Sequence, residues 1–120
     1  MKIAVTAENE STEGMVDPRF GRAKCFLVYD EDKKAWETID NKQNLESAQG
    51  AGIQTGRNIA NLGVEAVITG NVGPNAFRTL NAAGIRVFLA DKQTVQEAID
   101  SFKARKLKEA NKANVEGHWV

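Results

Sequence analysis

Apolar residues fall into short runs separated by polar, glycine-marked turns, and the runs differ in kind. Ile3 to Thr6 is a brief apolar segment that gives way to a polar stretch from Glu8 to Gly14, which predicts a short strand leading into a loop. Cys25-Phe26-Leu27-Val28-Tyr29 is continuously apolar, as expected of a strand covered on both faces. Lys33-Lys34 interrupts it and Ala35-Trp36-Glu37-Thr38-Ile39 resumes, so the two runs predict a hairpin. From Gly50 to Leu62 the period lengthens. Ile53, Ile59, Ala60 and Leu62 have helical spacing, and Gly63 supplies the left-handed residue that ends a helix.

The second half repeats this plan. Val64 to Thr69 reads as a strand, and Pro74 to Ala83 as a helix with proline near its first position and Gly84 at its close. Ile85 to Leu89 is the next strand. Thr94-Val95-Gln96-Glu97 is a capping box opening a last helix, with Val95, Ala98, Ile99 and Phe102 on one face. Lys103, Arg105, Lys106 and Lys108 crowd its end, where positive charge suits the helix dipole. Asn111 to Val120 shows no periodicity, so residues 1–110 are expected to form a single domain and 111–120 a loose tail.

The hairpin makes a fully parallel sheet impossible, while the later strand–helix–strand units require right-handed crossovers and parallel neighbours. The predicted fold class is therefore α/β: a mixed five-stranded sheet with helices packed on its faces. Ligands in such sheets sit beyond the carboxyl ends of the parallel strands. Three glycine turns are candidates for that edge: Gly70-Asn71-Val72-Gly73-Pro74-Asn75-Ala76, Gly50-Ala51-Gly52, and Asp17-Pro18-Arg19-Phe20-Gly21-Arg22-Ala23. Such turns present bare backbone N–H groups, which can hold an anion. That favours binding over catalysis.

Composition narrows the partners. In 120 residues, 16 basic side chains balance 16 acidic ones, so net charge suggests neither a nucleic-acid nor an acidic-membrane partner. No apolar run approaches the roughly 20 residues of a membrane span, and Met1 to Thr6 is too quickly polar for a signal peptide. A lone cysteine, Cys25, excludes an internal disulfide framework. A reducing cytoplasm is the expected location.

The stretch Met15 to Ala23, then Phe26, Val28 and Asp30, then Gly50-Ala51-Gly52-Ile53, then Gly70 to Ala76 resembles the dinitrogenase iron-molybdenum cofactor biosynthesis family. That family includes proteins of the NifX and NafY type, the C-terminal domain of NifB, and small stand-alone members. The resemblance runs from Met1 to about Phe102, with an echo in Gly117-His118. It implies a ribonuclease H-like fold and the binding or carriage of an anionic metal–sulfur cluster or precursor, with cluster-assembly proteins as partners. A molybdenum- or iron-containing sulfide is the implied cargo. Members tied to nitrogenase often carry a histidine near the Phe-Gly turn. This chain has Pro18-Arg19 there and is closer to the stand-alone members.

A thiometallate is a bulky anion with soft sulfide edges, which N–H donors and guanidinium groups can neutralise without a covalent bond. Arg19 and Arg22 bracket Phe20-Gly21, placing charge beside an aromatic face, and this turn is expected to form one pocket with the Gly70–Asn75 turn. Cys25 and His118 are soft ligand candidates for a metal. A packed core thiol is the simpler reading of Cys25, and a tail side chain the simpler reading of His118. Neither has the spacing of a closed zinc site. Other classes use the same residues differently. A phosphate-binding regulator would use the same glycine edge, and a protein-docking module would expose Trp36 or Trp119. A nuclease would need Asp17, Asp30 and Asp40 to converge around divalent metal ions. Serines 11, 47 and 101 lack a nucleophile turn, so no enzyme activity is expected.

Overall fold

The computed structural model describes residues 1–41, 51–90 and 92–114. Along the chain come β1 (Lys2–Ala7), β2 (Cys25–Asp30), β3 (Ala35–Asp40), α1 (Ala51–Ala60), β4 (Ala66–Thr69), α2 (Pro74–Ala82), β5 (Arg86–Leu89), α3 (Val95–Lys103) and β6 (Lys108–Ala110). The strands form one sheet in the order β3-β2-β1-β4-β5-β6. β2 is antiparallel to both β1 and β3. β4 is parallel to β1, and β5 to β4. The first five positions give the ribonuclease H-like arrangement that the family resemblance implies.

The sixth strand corrects the expected five. Lys108 belongs to no helix: α3 stops at Lys103, Ala104 caps it, and Arg105 takes a left-handed φ of 60°. Leu107 then packs against the core, and β6 returns antiparallel to β5 through Val87↔Ala110, Phe88↔Glu109 and Leu89↔Lys108. A strand of three residues with one buried side chain, Ala110, carries no readable period. It exists because the open edge of β5 offers unpaired backbone groups.

Each face of the sheet carries its own apolar layer. Ile3, Val5, Leu27 and Ile68 meet Val95, Ala98 and Ile99 of α3 on one side. Ala4, Phe26, Val67 and Val87 meet Ile59 of α1 and Ala76 and Leu80 of α2 on the other. β4 is buried from Ala66 to Thr69 and β1 from Ile3 onward, because helices cover both faces, and this explains their unbroken apolar runs. Edge strand β3 has no buried residue, and only Trp36 and Ile39 are partly covered. The local signals hold where they are strongest. Gly63 and Gly84 have φ of 76° and 75° beyond their helices. In the capping box the Glu97 N–H donates to Thr94 Oγ1 at 3.1 Å, and the Thr94 N–H to Glu97 Oε1 at 2.9 Å.

Candidate functional site

Parallel pairing of β1 with β4 sets their carboxyl ends side by side, and two loops are fastened there. The Asp17 N–H donates to the Thr6 carbonyl at 2.9 Å, and the Thr6 hydroxyl donates to the Asp17 carbonyl at 2.8 Å. The hydroxyls of Thr6 and Thr69, both buried, lie 3.0 Å apart and tie the end of β1 to the end of β4. Beyond them Arg19 pairs with Asn71 in a parallel backbone bridge, and Asn71 Nδ2 donates to the Pro18 carbonyl at 3.0 Å. A Cβ on Gly70 would stand 2.7 Å from Pro18 Cα, so glycine is what lets the turns touch. The Asp17–Ala23 and Gly70–Ala76 turns are therefore immediate neighbours.

The third turn approaches from the helix side. α1 and α2 each precede a parallel strand of the crossover, so their N-termini face the same sheet edge. Thr55 of α1 lies with its hydroxyl 3.2 Å from Asn41 Oδ1 and 3.5 Å from the Gly21 carbonyl. Asn41 Nδ2 donates to the carbonyls of Gly21 (3.3 Å) and Ala23 (2.8 Å). Gly52 is buried at the start of α1, and the backbone of Ala51 opens that helix. Gly50 lies outside the described residues.

The helix starts at this edge differ. In α3 the Val95 and Gln96 N–H groups donate to the carbonyls of Gly14 and Thr12, both at 2.9 Å, and Thr94 caps the next. In α2 the N-cap is Gly73 in an extended conformation, with no side-chain cap and with Pro74 at the first position. The N–H groups of Asn75 and Ala76 have no intrahelical acceptor by helix geometry and carry the positive end of the dipole. Pro74 and Asn75 are exposed, and Gly73 is buried behind them.

Not every expected site residue faces this edge. Phe20 is fully buried and packs edge-to-face on Phe26, with ring centroids 5.5 Å apart. It supplies no aromatic face beside the arginines, because the core behind the turn takes the one large apolar side chain available there. Arg19 is exposed, whereas Arg22 is half-buried and already engaged within the fold. Cys25 is buried, with Sγ 3.5 Å from the Asn9 carbonyl and 3.8 Å from that of Ala7. Burial pushes its thiol pKa up, and the nearby charges of Glu10 and Asp40 add to this, so the thiolate needed for metal ligation is disfavoured. Asp17, Asp30 and Asp40 do not converge. Asp30 and Asp40 sit at opposite ends of the hairpin, in register with Ala35 and Cys25. Among the described residues there is no group of three or more metal-ligating side chains. His118 lies outside them.

One residue at this edge had no signal in the sequence. Up to Asn114 the chain is not loose: Asn114 Oδ1 accepts the Val72 N–H at 2.7 Å, and its own N–H donates to the Val72 carbonyl at 3.1 Å. Its Nδ2 donates to Asn71 Oδ1 at 3.0 Å. An asparagine in a stretch without periodicity gives no hint of such a clasp.

The dinitrogenase iron-molybdenum cofactor family profile matches residues 1–105. An uncharacterized protein of Methanocaldococcus jannaschii is 32% identical over 112 residues, or 89% of each chain. The apo form of the orange protein from Desulfovibrio gigas is 41% identical with a TM-score of 0.92, over 95% of this chain and 96% of that one. A Thermotoga protein described as a candidate NifB protein is 37% identical with a TM-score of 0.84, over 97% and 98%. Among the described residues, no helix is long and apolar enough to cross a membrane.

Proposed function

Because the chain belongs to the dinitrogenase iron-molybdenum cofactor family, we propose that it binds and carries an anionic metal–sulfur cluster, or a precursor of one, without catalysing its conversion. The observation that carries this reading is the junction of the two turns through Arg19 and Asn71, beside the start of α2 that lacks a side-chain cap. A sulfide-rich anion there meets oriented N–H donors at Asn75 and Ala76 and the Arg19 guanidinium at the rim. Gly21, Arg22, Asn71, Gly73 and Pro74 shape the junction, and α1 joins it through Thr55, whose hydroxyl lies 3.5 Å from the Gly21 carbonyl. These groups neutralise charge without forming bonds to metal, which suits uptake and handover of cargo to cluster-assembly proteins. Asn114 anchors the chain at this turn four residues before His118, which we assign as an added soft ligand. Truncation after Glu116 tests that assignment.

Anaerobic reconstitution with tetrathiomolybdate, alone or with copper or iron, followed by gel filtration and metal analysis, tests the whole reading. A stoichiometric chromophore retained by the protein is expected, with affinity falling about tenfold in Arg19→Ala. Failure to retain metal under any combination overturns it. Backbone donors accept phosphate as readily as thiometallate, so saturable phosphate binding without a metal-sulfide response would instead support a phosphate-type regulator.

A further inference from the structure

The opposite end of the sheet holds a separate feature. Where the parallel strands begin, an open cavity of about 730 Å³ lies between the end of α3, β5 and β6. Its apolar wall is Phe88, Phe102 and Leu107, with the two phenylalanine rings edge-to-face at 5.0 Å. Its charged groups are unequal. Arg86 and Glu109 cancel each other through a two-pronged pair at 2.6 and 3.2 Å. Among the described lining residues, Lys103 and Arg105 then stand against Glu31, while the Met1 ammonium is paired with Asp32 at 3.5 Å. Lys103 lies 4.4 Å over the Tyr29 ring, a contact that holds the ammonium at the rim and leaves its charge in place. Arg105 is exposed and occupies a left-handed position that glycine would fill at lower cost, so local backbone preference does not account for an arginine there.

We propose that this cavity is a second binding site, for a small organic anion with an aromatic body. The volume lies within the range of ligand pockets, roughly 300 to 1,000 Å³. An aromatic body packs against Phe88, Phe102 and Leu107, while a carboxylate, sulfonate or phosphate group meets Lys103 and Arg105. A neutral ligand gains nothing from the rim, and a cation is repelled by its surplus positive charge. The cavity is lined by residues 1, 31, 86, 88, 102, 103, 105, 107 and 109, none of which belongs to the three glycine turns. The proposal therefore stands whatever those turns carry.

The test uses 8-anilinonaphthalene-1-sulfonate as the anionic probe and N-phenyl-1-naphthylamine as its uncharged counterpart, on the full chain. The expected result is saturable one-to-one binding of the sulfonate, with amide shifts at Phe88, Phe102, Arg105 and Leu107 in a heteronuclear NMR titration. Affinity should fall about fivefold in Lys103→Gln and in Arg105→Ala. It should hold in Arg57→Gln, which removes a cation from α1 on the other face of the sheet. The uncharged probe should bind more weakly. Both cavity variants change exposed side chains, and far-UV circular dichroism verifies that they fold. Absence of saturable binding, shifts centred elsewhere, or equal affinity in the charge variants would overturn the proposal.

Discussion

Gly70 shows how a single residue sets the candidate site. Any Cβ there meets Pro18 Cα at 2.7 Å, a backbone atom with no side-chain freedom to yield. Gly70→Ala should therefore force the two turns apart, costing about 1–3 kcal/mol by overpacking, read as a lower thermal midpoint with amide shifts at Arg19 and Asn71. Asp17 in the same junction responds to pH. Burial, helped by the Glu8 charge, raises its pKa above the ordinary 3.8 and outweighs the Arg19 N–H and charge and the Lys24 N–H that pull it down. With the folded value raised, the fold favours the protonated form. That contribution is complete below pH 3.8 and is lost as pH rises through the raised value. Asp17→Asn keeps an oxygen to accept the Arg19 N–H, now at 2.9 Å, and removes the charge. It should flatten the pH profile in that window. Chemical denaturation across pH reads this, and a variant that keeps the parent's slope there would refute it. The glycine in this junction was legible as a turn residue, but its reason was not: only Pro18, 52 positions earlier, makes it necessary. Phe20 shows the converse, since its placement between two arginines reads as a site aromatic until the core claims it.

Helix ends were the most legible elements. Thr94 and Glu97 exchange their hydrogen bonds as the spacing predicts, and the two donors from Thr94, led by the backbone N–H, lower the Glu97 pKa. Thr94→Ala should cost about 1 kcal/mol of stability, measurable by urea unfolding. The Glu97 part of the cap is present above its ordinary pKa of 4.5 and lost as pH falls through the lowered folded value, so the gap between variant and parent should shrink in acid. Pro74, Gly63 and Gly84 likewise act through bonds within a few residues of themselves. β6 was illegible for the opposite reason. Its residues 108–110 are short and mostly polar, and their strand conformation comes from the partner β5.

At the scale of the whole molecule, Asn114 fastens the far end of the described chain to the Gly70 turn, although it lies beyond the family match at residues 1–105. Asn114→Ala removes the acceptor of the Val72 N–H. The expected loss is about 1 kcal/mol, or a thermal midpoint lower by about 3–5 °C for a chain of this size. Hydrogen exchange at the Val72 amide should quicken in the variant, and unchanged exchange would show the clasp to be dispensable.

The sequence by itself determined the alternation of strands and helices, the hairpin, the caps and the family, because each is written in periodicity or in contacts between near neighbours. Tertiary structure alone decided which turns meet, which arginine stays exposed, where Phe20 and Cys25 are buried, and that a sixth strand and Asn114 complete the edges. Those outcomes depend on pairings between distant residues, such as Arg19 with Asn71 and Val72 with Asn114, and no local pattern along the chain encodes them.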